Sequence, residues 1–194
     1  LKVPADRLQK WRHLSSQKRF RVALAWAGSA THKHDQLRSI PLRDLVSLID
    51  GAEGVDWFSV QHELRAGDAE LLDKMPKVRR FDEGLADFAD TAAILSRVDL
   101  VITVDTAIAH LAGALGRQVW VLVQDSPDFR WLLDRDDSPW YPTFRIFRQK
   151  QRGDWKDVVA RVAEELKCVA HNPEADSDLP PIAFPAEPAI SALS

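Results

Sequence analysis

Three residue types that can do chemistry stand close together in VITVDTAIAHLAGALGRQVWVLV, the stretch from Val101 to Val123. Asp105 and Thr106 end an apolar run. His110 falls one helical turn into the small-residue pattern that follows, and Gly116 closes that pattern before a second apolar run. The order predicts strand, helix, strand. In an open parallel sheet, ligands bind beyond the carboxyl ends of the strands, so Asp105 and Thr106 stand on the binding edge. A helix opening at about Thr106 turns its free N–H groups and its positive dipole end toward the same crevice, which suits an anion. The small Ala107 and Ala109 let an oxygen-rich ligand approach the backbone. Two readings stand side by side for each polar residue. Thr106 either caps the helix or bonds a phosphate oxygen, and His110 either reaches the crevice or is a satisfied, half-buried histidine. Such units occur in every class of α/β protein. Asp105 needs a cation, a hydroxyl or a backbone N–H in either case, because an unpaired carboxylate in a closed crevice is costly.

Two further features add weight to the binding reading. The first predicted strand, RVALAWAG, runs into the polar loop WAGSATHKHDQLRSIP, which carries Gly28, Ser29, Thr31, His32, Lys33, His34 and Arg38. A glycine and several cations on one sheet edge suit a diphosphate; the plainer reading is a solvated surface loop. Asp90 comes early in the helix before Leu100. A carboxylate there either accepts the hydroxyls of a ribose diol or compensates the dipole in its own first turn. Gln61 closes a predicted strand on the same edge. A zinc site built from His32, His34, Asp35 and His62 is the minority alternative, since no second ligand pair at a familiar spacing appears. No G-x-G-x-x-G follows any predicted strand, which argues against a nicotinamide-dependent oxidoreductase. The expectation is therefore a site with no metal and no bound cofactor.

The elements that must hold these residues follow from hydrophobic periodicity. RVALAWAG, VDWFSVQ, KVRRFD, LVITV, VWVLV and FRIFRQ read as strands. SIPLRDLVSLIDG, LADFADTAAILSRVD, the stretch 106–115 and GDWKDVVARVAEELK read as helices. Strands alternating with helices predict an α/β fold of Rossmann-like type, a doubly wound parallel sheet. Residues 1–20 are polar and basic and read as a lead-in or linking segment. Residues 21–168 form the domain, and 169–194 read as a disordered, proline-rich tail.

The 194 residues suffice for one domain with a sizeable core. A formal net charge of −3 gives no global attraction to nucleic acid or to an anionic membrane. No apolar run is long enough to span a bilayer, and no secretory signal opens the chain. The lone Cys168 forbids an internal disulfide and makes a reducing cytoplasm the default compartment. The chain starts at Leu1 rather than Met, as a piece of a longer protein or a processed chain would.

The residues also carry a resemblance. VDTAIAHLAGALGRQVWVLV resembles the Asp-Thr-Gly/Ala, two residues, His signature of glycosyltransferase family 9, the heptosyltransferase-like enzymes that use ADP-heptose. WAGSATHKHDQLRSIPL resembles the first loop of that family's C-terminal domain. FADTAAILSRVDLVITVDTAIAHLAGALG, PDFRWLLDRDDSPWYPTFRIFRQ and GDWKDVVARV look like the heptosyltransferase-like domain that follows tetratricopeptide repeats in certain bacterial proteins. The likeness runs from about Arg21 to about Leu166. It implies the C-terminal half of a GT-B fold, binding a nucleoside-diphosphate sugar (an ADP-linked one is in view) for inverting, metal-independent transfer. The acceptor and the catalytic base would lie in an N-terminal domain outside this chain, with tetratricopeptide repeats as a further neighbour. Thr106 and the backbone of Ala107 would hold the diphosphate, with Gly28, Ser29, Lys33 and Arg38 opposite. Asp105 and His110 would shape the sugar end. Asp90, fifteen positions before Asp105, would take the ribose hydroxyls, and Gln61 would face the base or the phosphates. Two departures from the pattern stand out. Ala107 replaces the usual glycine, and VQDSPDFRW replaces the usual short loop, bringing Asp128, Arg130 and Trp131 toward the donor sugar, a partner domain or their own packing. The isolated chain is expected to be inactive. The competing class is a nucleotide-binding or scaffold module that has lost transfer.

Overall fold

The computed structural model describes residues 1–15, 19–81 and 84–171. Six strands form one all-parallel sheet in the order β3-β2-β1-β4-β5-β6. They are β1 (Phe20–Ala25), β2 (Val55–Ser59), β3 (Val78–Arg79), β4 (Leu100–Val104), β5 (Val119–Val123) and β6 (Phe144–Arg148). The helices are α1 (Ala5–Lys10), α2 (Asp35–Arg38), α3 (Leu42–Gly51), α4 (Asp68–Asp73), α5 (Phe88–Leu95), α6 (Ala107–Ala114) and α7 (Trp155–His171). The chain winds from β1 outward through β2 to β3, then returns to the other side of β1 for β4, β5 and β6. This is the doubly wound Rossmann-like sheet that the sequence predicts.

Strand alternation divides the core between two faces. Val22, Leu24, Ile102, Val104, Trp120 and Leu122 point to one face, where α3 and α7 cover them with Leu45, Leu48, Ile49, Val158 and Val162. Ala23, Ala25, Val101, Val119, Val121 and Ile146 point to the other, with Ala93, Ile94, Ala109 and Ala112 of α5 and α6. Strands buried on both faces need continuous apolar runs, and that is why β4 and β5 read so clearly.

The N-terminal residues expected as a lead-in pack onto this second face. Trp11 and Leu14 join its core, and α1 lies against α5. At the other end α7 continues to His171, three residues past the predicted boundary of the domain at 168, and the remainder of the proline-rich tail lies outside the described residues. Among the described residues no helix is long and apolar enough to cross a membrane.

The carboxyl end of β1 is tied down by a buried side-chain bond. Trp26 Nε1 donates to Asp68 Oδ2 at 2.9 Å, and the Arg65 amide donates to the same oxygen at 3.0 Å. Trp26→Phe keeps the ring but removes one of those donors from a buried carboxylate. It is expected to cost about 1–3 kcal/mol in urea unfolding.

Candidate functional site

The sheet order reverses between β1 and β4, and the loops leaving these strands part there. A cleft of about 600 Å³ opens at that point. Its floor is Ala25, Ala27 and Val60 at the ends of β1 and β2; Thr106, Ala107 and Ile108 at the start of α6 form one side. A second, more polar cleft of about 360 Å³ adjoins it, lined by Asp105, Gln124, Asp128 and Arg130 with His32 and His34. Arg38 lines both and separates them.

Arg38 owes its position to the loop after β1. Its Nη1 donates to the Asp105 carbonyl at 3.1 Å, bridging the loop to the end of β4. Its Nε lies 3.5 Å from Asp35 Oδ1. The guanidinium runs directly beside Gly28, where an added Cβ would fall 2.7 Å from Cζ and 2.8 Å from Asp35 Oδ1. Gly28 is thus needed for close approach. Asp35 itself is buried and bonds Arg65 Nη2 at 2.5 Å and the Ser39 hydroxyl at 3.0 Å. Arg65 also donates to the Gly28 carbonyl at 2.7 Å, closing the knot.

Gln61 fixes the same loop from the β2 side. Its Oε1 accepts the backbone N–H groups of Trp26 and Ala27, both at 2.9 Å, and its Nε2 donates to the carbonyls of Ala27 at 2.9 Å and Glu63 at 3.1 Å. The side chain lines the cleft with all four of its bonds already made to backbone, so it builds the wall rather than reaching for a ligand.

At the start of α6, Thr106 is the N-cap, and its Oγ1 accepts the Ile108 amide at 3.3 Å. The Thr103 and Thr106 hydroxyls are 3.3 Å apart. The capping reading therefore describes Thr106 in this structure, and the cap leaves its residue on the cleft wall. Ala107 is exposed there. The Asp105 carboxylate faces the second cleft, with Arg130 Nη2 at 4.0 Å.

The remaining expected residues lie apart from this group. Ser29 lines the first cleft, but Lys33 is exposed and lines neither. His110 lines neither cleft. It stacks on Trp131 at 5.7 Å between ring centroids, and its Nδ1 lies 3.3 Å from the Tyr141 hydroxyl, because the β5–β6 connection folds over α6. Burial and then the charge of Arg130 hold its pKa below the ordinary 6.5, against the opposite pull of Asp105 and Asp128. Asp90 also stays out of both clefts; it is wholly buried beneath α1. Its place relative to a ribose diol differs from the expectation because its partners come from the N-terminal segment. His32 and His34 face the second cleft, His62 faces the first, and Asp35 is spent on Arg65, so the four do not meet. Among the described residues no three His, Cys, Asp or Glu side chains are grouped to hold a metal ion.

Sequence reasoning passed over several cleft residues, Glu63 and Phe88 among them. Glu63, two positions beyond Gln61, puts an exposed carboxylate at the mouth, 3.3 Å from the Ala30 amide. Phe88, at the start of α5, stands 60% exposed beside Leu85 at the apolar end. The signal for Glu63 was its place just past a strand end; for Phe88 it was an aromatic residue next to the Asp87 cap, in the first turn of a helix.

Residues 83–165 match glycosyltransferase family 9 (heptosyltransferase), which shows over that span the likeness read from the sequence. Protein FlbA of Caulobacter vibrioides is 40% identical over 85 residues, which are 44% of this chain and 14% of FlbA. The structure of Escherichia coli ADP-heptose LPS heptosyltransferase II superposes with a TM-score of 0.61 at 19% identity, covering 90% of this chain and 54% of that one. A glycosyl transferase family 9 structure from Veillonella parvula gives 0.62 at 14% identity, covering 87% and 53%. The chain thus spans about half of each solved glycosyltransferase, as one Rossmann-like half of a GT-B fold does.

Two measurements test the site's construction. Gly28→Ala is expected to push the Arg38 guanidinium off the Asp105 carbonyl and to destabilise by about 1–3 kcal/mol. Because both changes act through one contact, adding Arg38→Ala to Gly28→Ala should recover part of that loss in a double-mutant cycle. His110 should titrate below 6.5 when its ring protons are followed by NMR. Stability should be full above that value and fall as pH drops through it, since the unfolded chain takes the proton first.

Proposed function

We propose that this chain is the donor-binding half of a GT-B glycosyltransferase and that the paired clefts take a nucleoside-diphosphate sugar. The observation that carries the reading is the placement of Arg38 and the α6 N-terminus where two clefts meet at the sheet's reversal point. A diphosphate there would meet the Arg38 guanidinium, the Thr106 hydroxyl and the positive dipole end of α6. The nucleoside would occupy the larger cleft. Its base would lie against Leu85, Phe88 and Ile108, and its ribose would reach Glu63, a carboxylate that lines this cleft as Asp90 does not. The sugar would occupy the polar cleft, where Asp105, Asp128 and Gln124 suit hydroxyl groups.

In transfer, negative charge grows on the departing diphosphate. A fixed guanidinium and a helix N-terminus aimed at that charge stabilise it without reorganisation, and such terms are usually large. The acceptor and the base that deprotonates it are assigned to a domain outside this chain, in keeping with a chain that spans half of the solved relatives. A tetratricopeptide-repeat neighbour and a cytoplasmic setting belong to the same proposal. The rival, a module that binds nucleotide without transferring sugar, shares the clefts and parts from it only in a transfer assay on the full-length protein.

Calorimetric titration with ADP, UDP, GDP and NAD tests the reading. One nucleoside diphosphate should bind, and NAD should not. Thr106→Ala and Arg38→Ala should each weaken binding about tenfold or more, since each removes a hydrogen bond to a charged group. Thermal melts run alongside separate this loss from that of the helix cap. Absence of binding by all three diphosphates at millimolar concentration, in this chain and in the full-length protein, overturns the proposal.

A further inference from the structure

Asp90 is a fully buried carboxylate whose partners come from the far end of the chain. Its Oδ1 accepts from Lys10 Nζ and Trp11 Nε1, both at 2.9 Å. Its Oδ2 accepts from Arg7 Nη1 at 3.1 Å and from the Ala86 amide at 3.2 Å. Burial alone would raise its pKa, but these hydrogen bonds and the Lys10 charge outweigh burial and keep it ionised. The same N-terminal residues grip its neighbours. Lys10 Nζ donates to the Gly84 carbonyl at 2.8 Å, and Arg7 Nη2 donates to Asp87 Oδ2 at 3.2 Å. The Trp11 ring lies so close to Gly84 that an added Cβ would fall 2.6 Å from it.

All of these contacts end on residues 84–90. Leu85, Ala86, Asp87 and Phe88 of that stretch form the wall of the larger cleft opposite α6. Among the described residues its other bonds are local: the amides of Gly84 and Leu85 both go to the Phe81 carbonyl, and the Asp87 side chain caps α5 by accepting the Ala89 and Asp90 amides. The helix that supplies Arg7 and Lys10 is only six residues long and is not stable on its own. Docked, it brings Arg7 and Lys10 against the wall from outside it.

We propose that Arg7, Lys10 and Trp11, acting through Asp90, are positioning residues that hold the 84–88 wall in the shape a nucleoside requires. They touch no ligand. They set where Leu85 and Phe88 stand and leave the Arg38 end of the site alone. The proposal rests on the nucleoside-diphosphate reading of the cleft, but its first test does not.

The variants are Lys10→Met and Arg7→Met, which keep the apolar stems and remove the charge. The control is Val158→Ala, a buried change on the opposite face of the sheet that lowers stability without touching the wall. Hydrogen exchange should quicken at the amides of residues 84–88 in the Met variants, well beyond any change there in the control. Equal exchange in variants and control overturns the proposal, whatever any ligand does. Calorimetry then compares the tightest-binding nucleoside diphosphate with inorganic pyrophosphate. The Met variants should lose about tenfold for the former and be unchanged for the latter, and Lys10→Arg should restore binding. Nucleotide affinity that is unaltered, or that falls equally in the control, also overturns the proposal. If the unaltered protein binds no nucleotide while exchange behaves as expected, the positioning device stands and the cleft reading falls.

Discussion

The pairing of β1 with β4 is the constraint on which the rest depends. A parallel strand laid beside β1 after an excursion to β3 forces the connections on either side to leave in opposite senses, and a gap opens where they part. Arg38, Asp105 and Thr106 stand at the rim of that gap. Arg38 spans it, carried on the loop after β1 and bonded to the carbonyl that ends β4. The first residue past β4 faces one cleft and the next two face the other, so a single strand end serves both.

The two sides of the gap are built by different means. The β1 side is a network of side chains, from Asp35, Arg65 and Gln61, bonded to one another and to backbone. The α6 side is a helix end whose first residue is a small alanine and whose cap already accepts an amide. The third wall, at Leu85 to Phe88, runs into α5 under the Asp87 cap and is braced from behind by the N-terminal segment through Asp90. Two of the cleft's surfaces are thus fixed from within, and the third is braced from outside as well.

The sheet was readable because β1, β4 and β5 are buried on both faces and must be continuous apolar runs. α3 and α7 were readable because each shows one apolar face over several turns. Short elements hid. α2 has four residues inside a polar loop, and α4 has six, entered through Gly67 at a positive φ of 84°. The docking of Trp11 was hidden as well, since a single tryptophan in a basic stretch announces no partner. The lining of the clefts was readable where the sheet edge defines it, as at Thr106, Ala107, Gly28 and Arg38. It was not readable where a residue belongs to a neighbour distant in sequence. Spacing told how far Asp90 stands from Asp105, not that Lys10 and Arg7 would claim it. Likewise nothing local in the α6 pattern says that Tyr141 and Trp131 will turn His110 away from the ligand edge.

The side chain of Gln61 carries one amide, and it behaves as an extra peptide unit inserted between two strands that have already ended. The ladder between β1 and β2 is in effect one rung longer than the backbone alone could make it. Residues beyond that rung are released from the sheet's register, while those at the rung stay fixed. The loop from Ser29 to His34 can therefore lengthen, shorten or change its charges without disturbing the floor of the cleft. A family built on this arrangement could alter what it recognises by editing a surface loop, at little cost to the fold beneath.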